Sequence, residues 1–158
     1  MEIGLGYYGS THFLWRQLFN KVITIEKSLD RIRDFGTNLR SYYGEWVLGD
    51  GKSAFIYGLS SEPQTVEKVY DLLVDGIDIL FIDGDHKYGS VLSDYLLYSP
   101  LVRKGGIVAF HDSACKHEGY SDVPILIEKL AAGKIDGMKY NLIQIEYSDI
   151  CGISYFIK

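Results

Sequence analysis

The sequence predicts a doubly wound α/β domain, a mostly parallel seven-stranded sheet with helices on both faces. Three observations carry that expectation. Strand-like and helix-like stretches alternate along the whole chain. The central run Ile77 to Ile82 is apolar enough for a strand covered on both faces. Three strands run into turns bearing Gly, Asp or His, and in open parallel sheets ligands sit outside the carboxyl ends of the strands. Those turns are therefore expected to meet at one crevice.

Met1 to Leu5 reads as a first strand, cut short because only Met1, Glu2 and Ile3 precede the first glycine. Ser10 to Asn20 reads as a helix, with Phe13, Leu14, Leu18 and Phe19 apolar at helical spacing. Val22 to Ile25 is the second strand, ending at Glu26, and Ser28 suits the N-cap of the next helix. Trp46 to Leu48 makes a short third strand that ends in Gly49-Asp50-Gly51. After a loop with Gly58 and Pro63, Gln64 to Val74 reads as helix and Ile77 to Ile82 as the fourth strand. Ser90 to Ser99 is helical and stops near Pro100, and Ile107 to Phe110 follows the Lys104-Gly105-Gly106 turn as strand five. Asp122 and Pro124 have N-cap and first-turn chemistry for a helix reaching Ala132. Lys139 to Glu146 and Ile153 to Ile157 close the chain as a hairpin around Ser148-Asp149.

With 158 residues the chain can bury a three-layer core, and without repeats or low-complexity tracts residues 1–158 read as one domain. A net charge of -5 and the lack of a basic stripe argue against a surface that tracks phosphates, so nucleic acid is not the expected partner. Cys115 and Cys151 show no metal or redox spacing and read as buried thiols of a reducing, cytoplasmic compartment. No apolar run approaches the ~18 residues of a membrane span, and no signal peptide is expected, since the sequence enters a glycine turn at once. His12 and His117 read as surface or helix residues, and Arg31, Arg33 and Arg103 as solvated; Lys87 lies close enough to the crevice to meet an anionic substrate.

Two constellations carry chemistry. Gly4-x-Gly6-x-x-Gly9 matches the dinucleotide fingerprint, and Glu26 ends strand two 22 residues after Gly4. The glycines permit a tight turn and close backbone approach, while the carboxylate accepts hydrogen bonds from ribose hydroxyls. This pair does not by itself separate NAD from S-adenosylmethionine. The second constellation is Asp83, Asp85 and His86 after strand four with His111 and Asp112 after strand five. Five ionisable groups at two strand ends must each be hydrated, paired or metal-bound, which favours a site over a structural ornament. Tyr7, Tyr8, Tyr88 and Tyr120 flank these turns, although ordinary packing explains any single one.

Taken together, Glu2-Ile3-Gly4-Leu5-Gly6-Tyr7-Tyr8-Gly9-Ser10, Phe81-Ile82-Asp83-Gly84-Asp85-His86-Lys87-Tyr88 and Gly105-Gly106-Ile107-Val108-Ala109-Phe110-His111-Asp112 resemble the class I S-adenosylmethionine-dependent methyltransferases. Within them the chain is similar to the group that includes cephalosporin hydroxylase-like and small-molecule O-methyltransferase proteins. The resemblance covers nearly the whole chain. It implies a Rossmann-like sheet in the order 3-2-1-4-5-7-6 with strand 7 antiparallel. It also implies S-adenosylmethionine held by Glu2, Gly4, Gly6, Gly9, Ser10, Glu26 and Asp83, with Asp50 beside the adenine. The activity implied is methyl transfer to a small-molecule hydroxyl, loosely of the sugar or natural-product kind. Asp83, His86 and His111 form the implied catalytic set, with either histidine as general base.

The catechol-type members hold magnesium with acidic or amide groups at the same two strand ends. That implies Asp83, His111 and Asp112 as ligands of a divalent cation, where the imidazole suits manganese, iron or zinc better than magnesium. Related enzymes also carry helices ahead of the first strand that help cover the active site. The expectation here is a domain without that N-terminal cover, which binds the cofactor yet methylates slowly unless a homo-oligomer partner covers the crevice. Two alternatives stay open: an NAD(P)-dependent oxidoreductase fragment and a non-catalytic module that binds a nucleoside cofactor. The first explains the glycine turn and Glu26 but not Asp-Gly-Asp-His or the closing hairpin.

Overall fold

The computed structural model describes residues 1–35, 51–117, 119–146 and 151–158. Contacts divide the chain into two compact units, Met1–Val74 and Asp75–Lys158, where the sequence reads as one domain. The first unit contains β1 (Glu2–Ile3), α1 (Ser10–Leu18), β2 (Val22–Glu26), α2 (29–35), β3 (Ser53–Tyr57) and α3 (Pro63–Leu72). The second contains β4 (Ile77–Ile82), α4 (Tyr88–Tyr98), β5 (Val102–Phe110), α5 (Val123–Ala131), β6 (Ile143–Glu146) and β7 (Gly152–Ile157). The strands form one seven-stranded sheet in the order β3-β2-β1-β4-β5-β7-β6, as the sequence predicts.

In the first unit β1 and β3 flank β2 in parallel, with Ile3 opposite Ile25 and Glu26 opposite Tyr57. Every residue of β2 is buried, as a strand with neighbours on both sides and covered faces must be. Leu5, Ile32 and Phe35 form a core cluster, and Phe13 and Phe55 pack against it. Gly9 lies at the head of α1 with φ 60°, and a Cβ there would come within 2.1 Å of the Phe35 ring. Only glycine combines that left-handed backbone with so close a packing neighbour.

In the second unit β4 and β5 run parallel, and β7 lies antiparallel beside β5, with Phe110 opposite Ser154. β6 pairs antiparallel with β7 and ends the sheet; all four of its residues are exposed. Tyr95 and Tyr98 of α4, Leu126 and Leu130 of α5, and Phe110 and Phe156 of the sheet make the core.

Three features differ from the sequence reading. Ser53–Tyr57, read from the sequence as part of a loop, is a strand, and Gly51, with φ 79°, makes a turn that leads into it. Trp46 to Leu48, Asp50 and the turn at Ser148-Asp149 lie outside the described residues. His12, read as a surface or helix residue, is helical but 0 % exposed. Cys115 and Cys151 are half-buried thiols rather than fully buried ones. No helix among the described residues is long and apolar enough to cross a membrane.

Replacing Gly9 with alanine forces an unfavourable φ and drives the new methyl into Phe35. Gly9→Ala is expected to destabilise the protein by about 2–4 kcal/mol in urea denaturation. A loss under about 0.5 kcal/mol would mean that α1 does not need this close approach.

Candidate functional site

The glycine turn comes first in the chain. Gly4, Gly6 and Gly9 have φ of 91°, 67° and 60°, so each occupies backbone space that glycine alone enters without strain. Gly4 N–H still donates to Ile25 C=O at 2.9 Å, after which the chain leaves the sheet. A Cβ on Gly6 would meet nothing within 4 Å, so the crest of the turn is open. Ser10 is exposed at the start of α1.

Glu26 sits where β2 ends. Its Oε2 accepts Leu5 N–H and its Oε1 accepts Ser28 N–H, both at 2.9 Å. The carboxylate thus ties the glycine turn to the entrance of α2, where Ser28 Oγ accepts Arg31 N–H as the sequence reading of an N-cap requires. Arg31 Nη1 lies 3.9 Å from Glu26 Oε2, and its guanidinium stacks 4.4 Å over the Tyr7 ring. Glu26 is 3 % exposed beside this stacked pair. Glu2, expected beside a cofactor, is instead 1 % exposed, with its carboxylate bound to Thr24 and 3.7 Å from His12 Nδ1. Its place in the sheet opposite Thr24 turns it inward.

The second constellation is built by the ends of β4 and β5. His111 N–H donates to Ile82 C=O at 3.0 Å, which keeps the two strand ends in register as they leave the sheet. Asp112 then turns with φ 52°, a left-handed conformation that an aspartate tolerates at a cost and that clusters at functional turns. Its buried carboxylate faces two imidazoles: Oδ2 is 2.9 Å from His86 Nδ1, and Oδ1 is 3.0 Å from His111 Nδ1. Asp83 Oδ1 approaches the same two rings, at 3.2 Å from His111 Nδ1 and 3.5 Å from His86 Nε2. The structure therefore brings Asp83, His86, His111 and Asp112 into one cluster.

Asp85 stands outside that cluster. It accepts Lys87 N–H and the Ser90 hydroxyl, and so caps the first turn of α4. Asp122 accepts Tyr88 N–H and holds α4 to the head of α5, where it is the N-cap as expected. Lys87 Nζ donates to Gly119 C=O.

The electrostatics follow from this pairing. The hydrogen bond to Asp83 raises the His111 pKa above 6.5, against the opposing effect of burial and with further help from both carboxylate charges. The bond to Asp83 likewise raises His86, burial opposes it, and the Asp112 charge adds to the rise. Burial pushes the Asp83 carboxyl up, but His111 and His86 outweigh it and hold the group below its ordinary value.

A cation does not fit the cluster as arranged. Among the described residues, no group of three or more His, Cys, Asp or Glu side chains could hold a metal ion. The oxygens of Asp83 and Asp112 face imidazole nitrogens instead of a common point. The expected ligand set Asp83, His111 and Asp112 is thus an ion-paired network in this structure.

Sequence reasoning missed Arg16, Thr24 and Ser53, which join His12 and Glu2 in a buried polar line. The available signal was the spacing of His12 and Arg16, four apart on one face of α1. It also missed that the carboxyl end of the third strand is Tyr57-Gly58, with Gly58 N–H donating to Glu26 C=O.

Comparisons with known proteins follow this geometry. Residues 7–113 match the profile of a family described as a methyltransferase domain. An uncharacterized protein of Acanthamoeba polyphaga mimivirus is 36% identical over 86 residues, covering 52% of this chain and 39% of its own length. The chain thus spans about two fifths of that curated relative. A putative caffeoyl-CoA O-methyltransferase from Staphylococcus aureus superposes with a TM-score of 0.66 at 24% identity, over 99% of this chain and 74% of the other. An O-methyltransferase from Bacillus cereus, solved in complex with SAH, gives 0.71 at 16% identity, over 99% and 72%. These two likenesses establish the shared fold.

The paired groups make stability depend on pH in opposite senses. His86 and His111, raised above 6.5, stabilise the fold fully below that pH, and their contribution is lost as pH rises through the raised values. Asp83, lowered from 3.8, contributes above that pH and loses its contribution as pH falls through the lowered value. Urea midpoints are expected to decline on the alkaline side of pH 6.5 in the native protein and to decline less steeply there in His86→Gln, which leaves the contribution of His111. An undiminished alkaline decline in His86→Gln would remove His86 as a source.

Proposed function

Because the chain belongs to the methyltransferase-domain family, we propose that it moves a methyl group from S-adenosylmethionine to a small-molecule hydroxyl, of the sugar or natural-product kind. The observation that carries the choice of base is the proximity of His111 Nδ1 to two carboxylates, Asp83 Oδ1 at 3.2 Å and Asp112 Oδ1 at 3.0 Å. Carboxylates there favour the tautomer with the proton on Nδ1 and leave Nε2 as the basic nitrogen, the logic of an acid-oriented histidine. His86 has both ring nitrogens turned to carboxylates, which makes it the charge partner that orients Asp83 and Asp112.

The glycine turn and Glu26 fit an adenosyl group. Gly6 leaves the crest of the turn open, and each Glu26 oxygen, already holding one backbone N–H, keeps capacity for a ribose hydroxyl. When bound, S-adenosylmethionine supplies a methyl group activated on a positive sulfonium, and its neutral thioether leaves as S-adenosylhomocysteine. The remaining tasks belong to the chain: orienting the acceptor oxygen in line with the methyl carbon and receiving the hydroxyl proton on His111. The Bacillus cereus neighbour, solved with SAH, supports the choice of donor.

The test is transfer of a labelled methyl group to a panel of hydroxylated sugars and natural products. Turnover is expected to rise with pH above 6.5 as the imidazole loses its proton. Asp83→Asn removes the largest cause of the raised value and should move that rise to lower pH. His111→Asn should lower kcat by about 10²–10⁴-fold. Glu26→Ala should weaken S-adenosylhomocysteine binding by about 1.5–3 kcal/mol through lost charge-assisted bonds. Hydride exchange with NAD or NADP in place of methyl transfer would overturn the proposal, and full activity in His111→Asn would overturn the assignment of the base.

A further inference from the structure

On either side of the glycine turn, five buried polar side chains share one line of hydrogen bonds. Arg16 Nη1 donates to Ser53 Oγ at 2.6 Å, and Ser53 Oγ lies 2.8 Å from His12 Nε2. His12 Nδ1 lies 2.7 Å from Thr24 Oγ1, and Thr24 donates to Glu2 Oε2 at 2.9 Å. All five residues are less than a tenth exposed. The His12 ring is held between Phe55, stacked at 4.6 Å, and Phe35, edge-on at 5.1 Å.

The donor count gives this line a direction. A guanidinium only donates, a carboxylate only accepts, and each hydroxyl has a single proton. Thr24 gives its proton to Glu2, so it accepts from His12 Nδ1–H. Nε2 is then an acceptor and takes the Ser53 proton, which leaves Ser53 to accept from Arg16. A neutral His12 satisfies every step from Arg16 to Glu2. Burial raises the Glu2 carboxyl above its ordinary value, against the opposing effects of nearby His12 and of the Thr24 hydrogen bond.

A line of this kind is a costly way to fill a core, since apolar side chains of similar volume usually serve stability as well. Its placement explains it better. Glu2 and His12 stand on the two arms of the turn formed by residues 4–9, one in β1 and one in α1. Thr24 lies two residues before Glu26, on the same side of β2, and Glu26 in turn holds Leu5 N–H.

We infer that Glu2, Thr24 and His12 are positioning residues that fix the glycine turn and the Glu26 carboxylate in one geometry. Nucleoside affinity then depends on side chains that never touch the nucleoside. The inference deepens the adenosyl assignment and rests on it for the ligand, but the fixing of the turn can be measured without any ligand.

The experiment compares Thr24→Val, which removes the hydroxyl at constant shape, with Thr24→Ser, which restores it, and with His12→Ala. Val69→Ala serves as a destabilised control, because Val69 is a fully buried core residue of α3 outside the line. Amide hydrogen exchange at Gly4 and Leu5 is expected to quicken about tenfold or more in Thr24→Val and His12→Ala relative to Val69→Ala, and to recover in Thr24→Ser. Calorimetric Kd for S-adenosylhomocysteine is expected to rise about tenfold or more in the same two variants, with Val69→Ala unchanged. Should His12→Ala fail to fold, the Thr24 pair decides alone. Exchange at Gly4 and Leu5 no faster in Thr24→Val than in Val69→Ala would overturn the inference, as would equal affinity in all variants. Faster exchange in a protein whose native form ignores S-adenosylhomocysteine would refute the adenosyl assignment and leave the positioning role standing.

Discussion

Asp112 sets a carboxylate between two imidazoles, and the chemistry of the second unit depends on that contact. The residue adopts a left-handed backbone at the end of β5, and its oxygens face His86 Nδ1 at 2.9 Å and His111 Nδ1 at 3.0 Å. Asp83 meets the same rings from the end of β4. Two acids and two bases at close quarters neutralise one another, so the cluster can lie partly out of water without a metal. Each ring nitrogen turned to a carboxylate also selects a tautomer. A histidine whose tautomer is fixed is ready to take a proton, whereas one free to turn must first be oriented.

The first unit meets a different constraint. Its glycine turn carries three positive-φ residues, and Leu5 anchors it in the core beside Ile32 and Phe35. Polar bonds add to that packing. Glu26 holds Leu5 and Ser28 at one end of β2, and the line through Thr24, His12 and Ser53 joins β1, β2, β3 and α1. Burying these groups is tolerable only because each donor has an acceptor.

Much of the sheet was legible in the sequence because its strands are apolar runs ending in Gly, Asp or His. The closing hairpin and the meeting of the turns that carry Asp83, His86, His111 and Asp112 followed from that pattern, whereas the strand order came from the family resemblance. The strand Ser53–Tyr57 was missed because glycines mark both the entrance and the exit of a strand, and Gly51 is an entrance. His12 was misjudged because a lone histidine on an amphipathic helix carries no periodic signal; its partners Thr24 and Ser53 are 12 and 41 residues away. Asp85 looked equivalent to Asp83, yet two positions along a turn decide whether a carboxylate meets an imidazole or caps a helix. The left-handed turn at Asp112 left no mark in composition, since aspartate enters that conformation only where surrounding contacts demand it.

The central claim is that Asp83 and Asp112 fix the protonation of His111. Nitrogen-15 NMR of the His111 imidazole across a pH titration, in the native protein and in Asp83→Asn, reads this directly. The account predicts a neutral ring with its proton on Nδ1 and a pKa above 6.5 that drops when Asp83 loses its charge. A neutral ring protonated on Nε2, or a pKa that ignores Asp83→Asn, would contradict it.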